Sequence, residues 1–421
     1  MSRFFLSLLL LSSFHVLAVD YTTPTKLVTD PMTFEDDLDF YSLDLAIDRQ
    51  ITSLGKKALV GTIKLGDTVY PRQKLVTSVK LFKEFINDAK ACIMNSPLEK
   101  PGCMDDLNQK IENNFDLYTP NWNEKDPEAS RPKPAMFTAY YSPDFVGSKT
   151  KTEKYQYGIY SLPKEATLRT KTRDQIDFEG ALENKGLALF YVENLYDLYL
   201  MHIEGGGRVT VKDDKGKNTS YYLSFAGTNG KPNKFISSIM VQMGYLKPGK
   251  ASNSAIRAYL NLHPEKMREI FSQCENYIFF SVTGHPPLGM NNTILTDNRS
   301  IATDSKLYAQ KGLLSYIVAK RPILTSTGAI KYIPFSRFFL DQDTGGAIKG
   351  KARADIYFGF GAEAELAAGN MTTYGDIYFL IEKLVKVEPT PVPTLVPVVT
   401  PTTTNNQGPQ PSMERLPLFT F

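Results

Sequence analysis

Three aspartates stand among glycines and aromatic residues towards the C-terminal end of the 421-residue chain. Asp343 opens Asp343-Thr344-Gly345-Gly346-Ala347-Ile348-Lys349-Gly350, Asp355 opens Asp355-Ile356-Tyr357-Phe358-Gly359, and Asp304 ends Arg299-Ser300-Ile301-Ala302-Thr303-Asp304. Clustered carboxyl groups suit proton transfer. Two of them in one pocket do not both ionise without cost, so one keeps its proton, and nearby tyrosine and phenylalanine surface raises its pKa further. A carboxyl still protonated near neutral pH can protonate a poor leaving group such as a glycosidic oxygen. Phe338-Phe339-Leu340 reads as a strand leading into Asp343, and Gly345-Gly346 as a tight turn after it, which stands the carboxylate at a strand end facing a cleft. Out of context, Asp before Gly-Gly is more often a turn residue that caps backbone.

Other strings supply substrate-binding chemistry. In Phe137-Thr138-Ala139-Tyr140-Tyr141-Ser142-Pro143, Tyr140 and Tyr141 offer faces for stacking on sugars, and Thr138 offers a hydroxyl for a hydroxyl or acetamido group. Strand alternation sends one of the two tyrosines into the core. Gly205-Gly206-Gly207, within Ile203-Glu204-Gly205-Gly206-Gly207-Arg208-Val209, either lets backbone amides approach a glycan closely or forms a flexible hairpin turn. Thr172-Arg173, Gly180-Ala181-Leu182, Ala226-Gly227-Thr228-Asn229-Gly230, His263-Pro264 and Phe279-Phe280 follow in order. Together with the aspartate segments, these strings resemble the MltA-type lytic transglycosylases, a murein-cleaving family whose barrel domain is called 3D after three aspartates. The region before Phe137 resembles the family only in its position and helical character.

The resemblance implies a mainly β fold with flanking helices, in which a double-psi β-barrel (3D) domain carries a second, inserted β-barrel. Residues 19–143 and 285–388 would form the discontinuous catalytic barrel with its N-terminal helices, and 144–284 the insert. It further implies an enzyme that cleaves the MurNAc-GlcNAc β-1,4 bond of peptidoglycan and leaves 1,6-anhydro-MurNAc ends, with no cofactor and no metal. By the family's motif Asp355 is the catalytic acid and then base, Asp343 its orienting and pKa-raising partner, and Asp304 a third aspartate in a supporting place. Thr138, Tyr140, Tyr141, Glu204, Gly205, Gly206, Gly207, Gly345 and Gly346 are the expected substrate contacts. Departures from the family fall in the substrate-binding half: Glu204 replaces the usual Gln, Gly206 the usual Ser, Ala139 the usual Gly, and Asn233 a frequent Tyr. They bear on substrate preference, not on reaction class. The rival readings are a hydrolase of the same glycan that uses water and a second carboxylate, and a non-catalytic wall-binding barrel. A calcium site fits poorly, because the aspartates lack the alternating spacing of a calcium loop.

Nearer the N-terminus, Phe40, Leu43 and Ile47 recur at helical spacing, as do Val79, Phe82, Ile86 and Ala89. From Pro143 to Gly284 the pattern turns to short strands such as Tyr155–Tyr157 and Leu187–Tyr191, with helical segments around Ala255–Leu260 and Met267–Phe271. Ile377–Ile381 reads as a last strand. Residues 1–18 read as a secretory signal, with Arg3, an apolar run from Phe4 to Leu11, and Val16-Leu17-Ala18 before the cut. The run is shorter than the roughly 20 residues that span a bilayer, and no cysteine stands at the cut for lipid attachment. The expected product is exported, periplasmic or extracellular, with association to the outer membrane left open, monomeric and without a stable membrane anchor in the mature chain.

A net charge of +3 argues against a nucleic-acid partner, which calls for a concentrated basic face, and is compatible with an anionic wall polymer. The three cysteines, Cys92, Cys103 and Cys274, have no zinc spacing. The turn-rich stretch between Cys92 and Cys103 leaves their pairing open, with Cys274 buried and free if they pair. His15, His202, His263 and His285 show no ligand spacing either. Beyond Glu388 the composition switches to Pro, Thr and Val, so residues 389–421 are expected to be an extended or disordered tail.

Overall fold

The computed structural model describes residues 24–56, 58–121, 134–308 and 311–384; the signal segment 1–18 and the tail 389–421 lie outside the described residues. After strand β1 (Thr25–Leu27), helix α1 (Leu43–Leu54) buries Leu43, Ala46, Ile47 and Leu54. Phe40, expected on this helix, sits in the turn before it. A small hairpin, β2 (Thr62–Leu65) and β3 (Thr68–Pro71), leads to α2 (Lys74–Asn95), whose Leu75, Val79, Phe82, Ile86 and Ala89 form one buried stripe at helical spacing. Helix α3 (Lys100–Asn114) returns with Cys103, Leu107 and Ile111 facing inward. Cys92 and Cys103 form a disulfide with Cα atoms 5.8 Å apart, and Cys274 is buried and free. Closing so short a loop contributes about 2–3 kcal/mol to stability.

Strands β4 (Phe115–Pro120) and β5 (Ala135–Ser142) precede the insert, and β12 (Ser300–Thr303), β13 (Leu314–Leu324), β14 (Ile330–Asp343), β15 (Arg353–Phe360), α10 (Ala362–Asn370) and β16 (Thr372–Glu382) follow it. Six of these strands close on themselves in the order β16-β13-β14-β12-β15-β5, with β5 pairing back to β16. Two neighbouring pairs, β12–β14 and β15–β5, are parallel. Closure removes the free edges that an open sheet would present. Alternation then sorts the side chains: Phe137, Ala139, Ile301, Phe339, Ile356 and Phe379 fill the interior, while Phe338, Leu340 and Leu380 face outward beneath α1, α2 and α3. Arg299 locks the N-terminal segment onto the barrel, donating to both carboxylate oxygens of the buried Asp36 at 2.6 and 2.8 Å.

The intervening segment contributes β6 (Asp144–Ser148), β7 (Tyr157–Tyr160), β8 (Ala188–Val192), β9 (Gly206–Lys212), β10 (Asn218–Thr228) and β11 (Ile278–Thr283). They form a second sheet in the order β11-β10-β9-β6-β8-β7, and a bridge between Ser161 and Phe280 brings its two ends together. Its helices include α4 (Ala166–Arg169), α5 (Arg173–Asp177), α6 (Leu195–Glu204), α7 (Ile236–Gln242), α8 (Asn253–Leu262) and α9 (Met267–Phe271). The last two match the expected helical segments. Helix α6, which the strand-like reading of this region did not anticipate, is apolar nearly all round and buries Leu195, Tyr196, Leu198, Tyr199, Leu200 and Met201. The chain passes from β5 to β6 through Pro143 alone, so the two strand systems meet beside Thr138 and Tyr140.

Candidate active site

Register aligns the central residues. Asp355 on β15 lies opposite Ala302 on β12 and Thr138 on β5, and Ala302 also pairs with Asp343 on β14. Asp343, Ala302, Asp355 and Thr138 therefore form one row across four strands, with only the Ala302 methyl between the two carboxylates. Strand β14 would not place Asp343 there by alternation, because Phe339 and hence Asp341 point into the barrel. A bulge corrects this: Ile301 pairs with Asp341 but Ala302 with Asp343, leaving Gln342 as the extra residue that turns Asp343 to the outer face.

Neutral hydroxyls hold both carboxyl groups. Thr138 Oγ1 donates to Asp355 Oδ1 at 2.6 Å and itself accepts from Arg353 Nη2 at 2.7 Å. Tyr140 Oη donates to Asp343 Oδ2 at 2.8 Å, and the Thr344 amide donates to Asp343 Oδ1 at 2.8 Å. Burial raises the Asp355 pKa, against the lowering effect of the Thr138 hydrogen bond and the Arg353 charge. Burial likewise raises that of Asp343, with Tyr140, Thr344 and Lys311 opposing and the Asp355 charge adding to the rise. The Tyr140 phenol is held far above its ordinary pKa by burial and by Asp343, so it stays a donor. Its ring lies 5.1 Å from that of Tyr357.

Glu204, the last residue of α6, faces this row from the second strand system. Glu204 is exposed to solvent, although much of the protein lies close around its carboxyl. Burial first, and the facing charge of Asp355 second, push its pKa up to about 8. Such a group is protonated at neutral pH and donates a hydrogen bond. Gly205 ends α6 in the left-handed conformation (φ 72°), where glycine carries no Cβ penalty. Gly206 and Gly207 then run as the start of β9, not as a hairpin turn, and a Cβ on Gly207 would lie 2.7 Å from the Pro143 carbonyl oxygen.

The structure separates the remaining expected residues from this row. Asp304 is 5% exposed and spends both oxygens on backbone amides, accepting from Lys306 and from Gly350 at 2.9 Å each. Its carboxylate braces the loop after Asp343 and makes no hydrogen bond to either of the other two aspartates. Tyr141 is 4% exposed and belongs to the barrel core, as alternation requires of one member of the Tyr140-Tyr141 pair. Gly345 and Gly346 lie in the loop after β14 without positive φ; Gly350, at φ 95°, is the residue there that needs glycine. Arg353 and Lys311 were not singled out from sequence. For Arg353 a signal existed, since it stands two residues before Asp355 on the same strand face. Among the described residues, no three His, Cys, Asp or Glu side chains converge in a way that could hold a metal ion.

Comparison with known proteins agrees with this architecture. Residues 136–281 match the MltA specific insert domain and residues 299–381 the 3D domain. Over 247 residues the chain is 30% identical to membrane-bound lytic murein transglycosylase A of Vibrio cholerae and 31% identical to that of Escherichia coli K12. Each match covers 58% of this chain and 65% of the relative, so it spans just under two thirds of the relatives' own length. Among solved structures, E. coli MltA with bound chitohexaose superposes with a TM-score of 0.59 at 24% identity, covering 85% of this chain and 94% of that one. A lytic transglycosylase of Burkholderia pseudomallei gives a TM-score of 0.55 at 23% identity, covering 86% and 98%.

Proposed function

This chain belongs to the MltA family, and we propose that it is a lytic transglycosylase that cleaves the MurNAc-GlcNAc β-1,4 bond of peptidoglycan with Asp355 as acid and then base. The observation that carries the reading is the half-buried Asp355 carboxyl, fixed by a neutral hydroxyl and kept above its ordinary pKa beside a second aspartate. Protonated Asp355 gives its proton to the glycosidic oxygen as the bond to C1 breaks. The C6 hydroxyl of the same MurNAc then attacks C1, and its proton returns to the Asp355 carboxylate. A 1,6-anhydro ring forms, no water is consumed, and the enzyme regains its starting state. Asp343, as an anion, raises the proton affinity of Asp355 and favours positive charge developing at C1. Thr138, Tyr140, Glu204 and the backbone of Gly205–Gly207 lie where glycan contacts are expected.

A hydrolytic reading draws on Glu204, a carboxyl facing Asp355. Its raised pKa counts against it, because a group still protonated at pH 7 is a poor base for activating water. Mass spectrometry of products from purified peptidoglycan distinguishes the readings: anhydro-muropeptides are expected, reducing ends would favour hydrolysis, and no cleavage would favour a binding barrel. The relatives are membrane-bound lytic murein transglycosylases, which supports an envelope location. In this chain no described helix is long and apolar enough to cross a membrane. We place the mature protein in the exported space, held there by its substrate.

A further inference from the structure

A buried ion pair lies behind Asp343. Lys311 is 2% exposed and Asp341 fully buried. Lys311 Nζ donates to Asp341 Oδ1 at 3.1 Å, to the Thr303 carbonyl at 3.1 Å, and to the Thr303 hydroxyl. That hydroxyl in turn donates to both Asp341 oxygens at 2.9 Å. The same Thr303 carbonyl accepts from Thr344 Oγ1 at 3.0 Å, and the Thr344 amide donates to Asp343 Oδ1 at 2.8 Å. Hydrogen bonds therefore join the buried pair to Asp343 through two threonines. The bulge at Gln342 makes this possible by turning Asp341 inward to Lys311 and Asp343 outward to the site.

The arrangement is costly for a merely structural feature. Burying an ammonium and a carboxylate forfeits hydration that an apolar pair would not need. Lys311 also holds φ at 35°, a region unfavourable to residues with a Cβ. Costs of this kind concentrate where geometry serves function.

We propose that Lys311 is a positioning residue: anchored on Asp341, it fixes Thr303 and Thr344, and through them holds Asp343 in place as an anion, so that the proton of the Asp343–Asp355 pair resides on Asp355. The proposal rests on Asp355 being the acid. The charged and titratable groups around Asp343 are Tyr140 from β5, Asp355 from β15, Asp341 on its own strand, and Lys311 and Asp304 from the β12–β13 connection, with Arg353 of β15 and Glu204 of α6 on the Asp355 side of the row. Tyr140 stays protonated throughout the working range. Asp341 is pushed up to about 6 by burial, with Lys311 and Thr303 opposing the rise. Lys311 is thus the nearby cation that favours ionised Asp343.

The active form has Asp343 ionised and Asp355 protonated. The acidic limb of the rate profile then reports Asp343 and the alkaline limb Asp355. Lys311→Gln keeps a polar side chain of similar length and removes the charge, so the Asp343 pKa rises. For full-length protein releasing anhydro-muropeptides from purified peptidoglycan, the acidic limb of kcat/KM is expected to move up by about one pH unit while the alkaline limb stays within ~0.3. Thr344→Val, nearly isosteric, leaves the ion pair intact and cuts its link to Asp343; kcat should fall about tenfold with KM within about twofold. A Lys311→Gln profile that superposes on the wild type, or a wild-type kcat in Thr344→Val, overturns the proposal. If Lys311→Gln does not fold, Thr344→Val decides alone. Wild-type protein that makes no anhydro product would instead overturn the proposed function, which separates the two failures.

Discussion

Asp355 and Asp177 are both carboxyl groups with raised pKa values, one half-buried on the outer face of the closed barrel and one enclosed within the inserted strand system. Asp177 sits 3.2 Å from Arg173 with both side chains 1% exposed. The Arg173 guanidinium lies over the rings of Tyr199 and Tyr277, and its Nη2 meets His202 Nδ1 at 2.7 Å. Burial raises the Asp177 pKa to about 6 despite Arg173, and burial together with Arg173 keeps His202 neutral. Asp355 has a raised pKa too, but its direct partner is a neutral hydroxyl, with Arg353 one step removed. A raised pKa therefore does not mark a catalytic acid. What separates the two is compensation and access: Asp177 is matched by a cation and closed off from solvent, whereas Asp355, the proposed acid, is half-buried and held directly by a neutral hydroxyl.

Asp355→Asn should break this contrast most severely. An amide still accepts the Thr138 hydrogen bond, so the fold survives, but it has no proton to give, and turnover should fall by about 10²–10⁴-fold. Release of anhydro-muropeptides by the folded variant at more than about a tenth of the wild-type rate would remove Asp355 from its role. Arg173→Met makes the opposite demand. It leaves Asp177 buried without its partner, and stability should drop by about 3 kcal/mol, read from the denaturation midpoint. The protein that remains folded should keep near wild-type kcat. A large loss of kcat without loss of stability would show that the two regions do not divide as described.

Much of the site was legible because strand alternation and local motifs carry it. Thr138, Tyr140 and Asp355 each lie on a regular strand, and period two places Thr138 with Tyr140 on one face and sends Tyr141 inward. Asp343 was legible as a strand-end residue facing a cleft, but the way it comes to face there was not, because alternation alone would turn it inward and the outward turn depends on a bulge set by pairing β14 with β12, which are distant in sequence. The Lys311–Asp341 pair has the same origin: a lysine in a loop reads as solvated until the barrel closes over it. Helix α6 was missed for a different reason. A helix apolar on nearly all sides lacks the amphipathic stripe that marks a helix in sequence, and this obscured how Glu204 is carried to the site.

A smaller effect is expected where the hydroxyl alone is removed. Thr138→Val deletes the hydrogen bond to Asp355 and the acceptor for Arg353 at constant shape. That bond favours the ionised carboxylate, so its loss raises the Asp355 pKa further and moves the alkaline limb of the pH–rate profile to higher pH. A weaker and less firmly held acid should also lower kcat by about tenfold. An alkaline limb that moves to lower pH would contradict the hydrogen bond seen here.

Glu204→Gln should do least to turnover and most to discriminate chemistry. With a pKa of about 8, Glu204 is protonated at pH 6–7 and presents one acceptor and one donor to the site, much as an amide does. The variant is therefore expected to turn over within about threefold of wild type there, with anhydro products unchanged. The difference should emerge on the alkaline side. Glu204 and Asp355 face one another, so once Glu204 ionises on the alkaline side its charge keeps a proton on Asp355 in some molecules. Glutamine never takes that charge, and the alkaline limb of the variant should lie at lower pH. If Glu204 were instead the base that activates water, the change would cost at least about 10²-fold at every pH, and the wild-type enzyme would release reducing ends. Seeing both results would overturn the proposed transglycosylase reading in favour of a hydrolase, and would require Glu204 to ionise in spite of the burial that raises its pKa.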